Sequence, residues 1–178
     1  MLDFSMAEIF GVLALTTAII GYQMAKPNIA LYFLCFTSIL WGIHFVLLGD
    51  IAFIVLFLNA FRSFCAAKFP VKYLKYVIIF CMTVSCSFII TQAAIVKDIL
   101  PIAPVLLTSF GALNRGNERI FRLSYLAAES IWIFYGLLIA SYSFVLGVFF
   151  VVVSIIISII RHDMPIIRFK GSGIIGLK

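Results

Sequence analysis

Residues 41–62 read WGIHFVLLGDIAFIVLFLNAFR. Nearly all of this run would dissolve in oil, yet His44, Asn59 and Arg62 interrupt it at fixed intervals. What such groups mean depends on the solvent around the chain, and composition decides that. Of 178 residues, 65% are apolar and 11% charged, against about 45–50% and about 25% in soluble domains. A small soluble fold buries too little of its area to hide so much apolar surface. The solvent is therefore mostly lipid, and the chain reads as an integral membrane protein.

A helix needs about 20 apolar residues to cross roughly 30 Å of hydrocarbon. That ruler predicts seven transmembrane helices, at 7–24, 29–48, 51–67, 76–96, 99–113, 123–140 and 143–160. A transmembrane β-barrel needs alternating apolar and polar residues, which these runs lack. Helices satisfy their backbone groups internally and so fit lipid. The start, MLDFSMAEIF, carries Asp3 and Glu8 but no basic residue. It does not read as a signal peptide, so the first helix is expected to stay in the mature protein.

Charge sets the expected orientation. If seven helices alternate, twelve of the thirteen Lys and Arg residues fall on one side, and Lys97 alone falls on the other. By the positive-inside rule the N-terminus is expected outside and the C-terminus in the cytoplasm of a bacterial inner membrane. The net charge of +6 is then a cytoplasmic skirt suited to lipid head groups, not to nucleic acid. Cys35, Cys65, Cys81 and Cys86 lie in apolar segments without a C-x-x-C pair, so packing is expected in place of a disulfide or metal.

The loops AKPN, GD and SYS are short, which forces neighbouring helices antiparallel. They suggest two parallel three-helix repeats, residues 1–68 and 99–161, joined by a linker helix within 69–98 and followed by a loose cytoplasmic tail, 162–178. Residues 10–23 align with 102–115, pairing Thr16 with Thr108 and Thr17 with Ser109. Residues 38–45 align with 129–136, pairing Trp41 with Trp132 and His44 with Tyr135. NAFR at 59–62 aligns with SIIR at 158–161. Parallel repeats of this sort recur in transporters. The fifth helix is short and carries Pro101, Pro104 and Gly111; it is either bent at a binding site or simply started by proline.

Trp41 lies eight residues before Gly49–Asp50 and Asn59 nine after, which puts both about 12–14 Å deep on antiparallel helices. Polar groups at that depth tend to face a cavity, or to bond a neighbouring helix. His44 lies one turn from Trp41, with Ser38 on its other side. On the sixth helix Tyr125, Glu129, Trp132 and Gly136 share one face. A carboxyl group there must pair, face water or take up a proton. His44 is one expected partner for Glu129; Arg62 or Arg122 at the inner rim is the alternative. Arg62 itself is expected to snorkel towards the inner surface. The candidate substrate-binding residues are Trp41, His44, Asn59, Glu129, Trp132 and Tyr135, a set suited to a small polyhydroxylated or zwitterionic solute.

The patterns IHFVLLGD and LNAFRSF, repeated loosely as WIFYGLLIA and IISIIR, resemble the YgjV-type bacterial inner-membrane proteins. His44, Leu47, Leu48, Gly49, Asn59 and Arg62 carry the match. Tyr135 and Ser158 depart from it where the family pattern has a second histidine and a second asparagine. The 3+1+3 layout is also similar to SWEET and PQ-loop transporters, where a Trp and an Asn line the substrate cavity, although the Pro-Gln dipeptide is missing. That resemblance implies alternating access, at the level of fold only. The leading expectation is a small-solute transporter without a cofactor, with the bilayer as its surroundings and a homo-oligomer left open. The alternative is a non-catalytic scaffold or subunit of a larger membrane complex. No H-E-x-x-H or G-x-S-x-G favours an enzyme.

Overall fold

The computed structural model describes residues 6–92 and 99–163, which form seven α-helices and no strand. They are α1 (Met6–Gln23), α2 (Pro27–Leu48), α3 (Ala52–Lys68), α4 (Val71–Gln92), α5 (Ile102–Leu113), α6 (Glu118–Leu138) and α7 (Tyr142–His162). Each expected helix is present. Two begin about one turn earlier than the hydrophobic ruler placed them, because α4 and α6 open with charged turns holding Lys72, Lys75, Glu118, Arg119 and Arg122. Hydropathy trims such turns, whereas backbone hydrogen bonds run through them. Lys97 and the tail from 164 lie outside the described residues.

Four of the helices, α1, α2, α4 and α7, are long and apolar enough to cross a membrane. α3 has 17 residues and α5 only 12, so α5 reaches about 18 Å. Pro101 is the N-cap residue of α5 and Pro104 lies in its first turn. The first-turn N–H groups have no partner inside a helix anyway, so these prolines start α5 without breaking it.

The turns are built by their own residues. α2 ends on Gly49, at φ 70°, a left-handed conformation that glycine adopts without strain. The Gly49 N–H then donates to the Val46 carbonyl at 3.1 Å, and the Asp50 N–H to the Phe45 carbonyl at 3.0 Å. Asp50 at once opens the next helix, its Oδ1 accepting from the Ala52 N–H at 2.8 Å. Asn117 caps α6, accepting from the Ile120 N–H at 3.1 Å.

Packing is cyclic. α1 packs on α2, α2 on α3, α3 on α5, α5 on α6, α6 on α7, and α7 back on α1; α4 lies against α3 and α5. The α1–α2, α3–α4 and α5–α6 turns share one end. Arg115 Nη2 donates to the Phe69 carbonyl at 2.6 Å. Arg122, 3% exposed, pairs with Asp163 and with Glu118 (3.2 Å), and donates to the Ala25 carbonyl at 3.1 Å. Lys26, Lys68 and Arg119 also sit there, so this is the basic end; Gly49–Asp50 marks the far end.

Surrounding lipid is as apolar as leucine, so helix association relies on close packing and polar bonds. Small residues supply the closeness. A Cβ on Gly21 would stand 2.8 Å from the Phe33 Cβ, and one on Gly42 2.8 Å from the Phe57 ring. The Phe33 atom is fixed to its backbone and has no room to swing away. Gly21→Leu should therefore push α1 off α2 and cost about 1–3 kcal/mol. Thermal unfolding in detergent should show a midpoint several degrees lower, with Gly116→Ala, where nothing lies within 4 Å, unchanged.

Candidate functional site

All six helices of the ring contribute to one internal cavity. Tyr22 enters from α1, Ser38 and Trp41 from α2, Asn59 from α3, Thr108 from α5, Glu129 and Trp132 from α6, and Phe144 from α7. Its volume is about 40 Å³, room for about three waters at roughly 10–15 Å³ each.

The half nearer the basic end is polar. Tyr22 Oη donates to Glu129 Oε1 at 2.7 Å. Across the cavity Asn59 Nδ2 donates to Ser38 Oγ at 2.9 Å, and Asn59 Oδ1 accepts from the Arg62 guanidinium. Arg62 is 0% exposed; its Nη1 also donates to Ser109 Oγ at 2.6 Å and to the Val105 carbonyl at 3.2 Å. A guanidinium only donates, so it claims the Asn59 oxygen and turns the amide –NH₂ towards Ser38. Arg62 thus orients the side chain that lines the cavity.

The half nearer the far end is aromatic. Phe144 stands edge-on to Trp41 (centroids 4.8 Å apart, rings at 87°) and to Phe45 (5.1 Å, 74°), with Trp132 at 6.2 Å. Such edge-to-face pairs add about 0.5–1.5 kcal/mol each beyond the area they bury. Beyond them Tyr135 Oη donates to Asp50 Oδ1 at 2.6 Å, tying α6 to the α2–α3 turn.

Four of the six residues nominated by sequence, Trp41, Asn59, Glu129 and Trp132, meet around the cavity. His44 and Tyr135 do not line it. His44 turns towards α1, its Nδ1 against the Ala7 carbonyl at 2.7 Å, and Tyr135 serves the far-end tie. The expected pairing of Glu129 with His44 is absent, and so is an ion pair with Arg62 or Arg122, because both guanidiniums have other partners. The carboxyl group is held by Tyr22 instead. Arg62 does not snorkel: α3 and α5 offer it acceptors inside, so the head turns inward. Other residues of the site went unnominated, among them Tyr22, Thr108, Ser109, Phe144 and, at the far-end tie, Asp50. Asp50 carried a local signal, being an Asx residue two places before a helix start.

Apolar helices around a polar core define a multi-pass helical membrane protein. Residues 5–165 match the model of the bacterial inner membrane protein family Imp-YgjV, and the chain belongs to that family. Nothing among curated proteins or solved structures matches it.

Removing one partner of a buried charge costs more than removing the charge. Asn59→Ala should destabilise by about 1.5–3 kcal/mol, Arg62→Met by less. The double variant Asn59→Ala/Arg62→Met should be no less stable than Asn59→Ala. Additive losses in thermal unfolding would show that the two side chains do not act together.

Proposed function

We propose that the protein is a seven-span carrier of a small polar solute, working by alternating access around the central cavity. The observation that carries this reading is that directed polar groups from both halves of the bundle converge where six helices meet. Support for a repeated architecture comes from the packing itself. Exchanging α1 with α5, α2 with α6 and α3 with α7 turns the α3–α5 contact into the α7–α1 contact. The aligned pair Trp41 and Trp132 then occupy matching places on one cavity. Such packing supports a 3+1+3 layout of the kind the SWEET resemblance implies, with α4 as the linker. The match is incomplete, since Arg62 is buried while its aligned counterpart Arg161 is exposed.

In this reading the structure is the occluded form. The aromatic layer and the Tyr135–Asp50 bond close the far side. Tyr22, Tyr125 and Phe121, with centroids 5.8 Å and 4.6 Å apart, close the basic side. A cavity of about 40 Å³ holds a sugar or an amino acid only after one of these layers parts. The Asn59 amide then offers donors to the solute and Glu129 an acceptor, and no bond is made or broken. The basic end faces the cytoplasm, with the N-terminus outside.

The second reading, a scaffold whose polar groups glue helices, is favoured by the small cavity and its internally bonded side chains. Uptake separates the two. Proteoliposomes should accumulate at least one member of a panel of sugars, amino acids and organic acids. Asn59→Ala and Glu129→Gln should each cut the initial rate by about tenfold, equivalent to about 1.4 kcal/mol. No uptake of any member would favour the scaffold, and uptake with full rates in both variants would place the solute site away from Asn59 and Glu129.

A further inference from the structure

The ring closes through two seams, α3–α5 and α1–α7, and they are finished differently. α4 covers the first, where its Ile89 is buried with Val55 and Val105. No described helix of the chain covers the second. Towards the basic end that seam is fastened by Gln23 Nε2, which donates to the Ser154 carbonyl at 2.8 Å and to Ser154 Oγ at 2.9 Å. Towards the far end it opens into a slot of about 220 Å³ between Gly11, Leu15, Gly147 and Phe150, with Trp41 as its floor.

Two glycines make the slot. A Cβ on Gly11 would stand 3.5 Å from the Trp41 ring, and one on Gly147 3.6 Å from it. Any larger side chain at either place would fill the space above the indole. The surface of the slot is mostly apolar, with Val12, Leu146 and Phe150 exposed, although Glu8, His44 and Ser143 also line it, and it lies between two helices apolar enough to cross a membrane. For scale, a dry cavity of about 150 Å³ lined by apolar side chains takes up benzene.

We infer that the slot between α1 and α7 is a binding site for one acyl chain of a membrane lipid, which packs against Trp41. Size selects this occupant. α1 and α7 already touch along the seam, so a helix about 10–12 Å across cannot enter between them, whereas a polymethylene chain can. The surrounding hydrocarbon supplies such chains at very high local concentration. Trp41 belongs to both spaces: one side of the indole meets the lipid slot and the other walls the central cavity. The site stands on this geometry, whether or not the protein is a carrier.

The two tryptophans are the chain's only ones, and both are 8% exposed, yet Trp132 does not line the slot. Burial alone therefore predicts equal contact with lipid, and the slot predicts unequal contact. Trp132→Phe and Trp41→Phe leave one indole each, read by fluorescence in phosphatidylcholine vesicles with plain or bromine-labelled chains. Brominated chains should quench Trp41 at least twofold more than Trp132. Gly11→Leu or Gly147→Leu, in the Trp132→Phe background, should bring Trp41 down to the Trp132 level. Equal quenching of the two indoles overturns the site, and that comparison needs neither glycine variant to fold. Quenching of Trp41 that fades as protein is concentrated in the vesicles also overturns it, in favour of a second copy over the seam.

Discussion

A guanidinium that reaches neither water nor a carboxylate sets the terms for the inner half of this bundle. Arg62 is held by the Asn59 amide oxygen, the Ser109 hydroxyl and the Val105 carbonyl, which belong to α3 and α5. An unpaired charge of this kind costs several kcal/mol to bury, so each acceptor constrains the helix that carries it. The α3–α5 seam, the orientation of Asn59 and the polar wall of the cavity follow from that single requirement. Because hydrocarbon offers no competing donor or acceptor, these bonds contribute to holding helices together where apolar burial contributes little.

The polar and aromatic halves of the core divide the work. Hydrogen bonds between Tyr22 and Glu129 and between Asn59 and Ser38 each have a fixed direction, so they specify how α1 meets α6 and how α2 meets α3. The rings around Phe144 fill space without such direction. Edge-to-face contacts are individually modest, about 0.5–1.5 kcal/mol each, and leave no polar group unsatisfied when they part. The Tyr135–Asp50 bond then restores a definite register at the far end.

How much of this can be read from the chain depends on range. Helix number and order follow from uninterrupted apolar runs, and depth follows from counting outward from Gly49–Asp50. That count is enough to bring Trp41 and Asn59 to one level. Azimuth is harder: His44 is three residues from Trp41, a net offset of about 60° around the helix, and contacts with α1 settle that it turns away from the cavity. Partners are harder still. Tyr22 and Glu129 are 107 residues apart, and the sequence holds six other tyrosines with equal formal claim. Arg62 at its depth can snorkel or turn inward, and the choice is made by acceptors on α5, which no local pattern announces.

Asp50 accepts two hydrogen bonds through one oxygen, from the helix it starts and from Tyr135 on α6. Two polar side chains of α1–α3 show the same dependence: Tyr22 waits for Glu129, and Arg62 for Val105 and Ser109. A ribosome delivers the first three helices before any of these downstream groups exist. The nascent N-terminal half therefore enters the bilayer with its hydrogen bonding incomplete, and its docking is finished only when the later helices arrive.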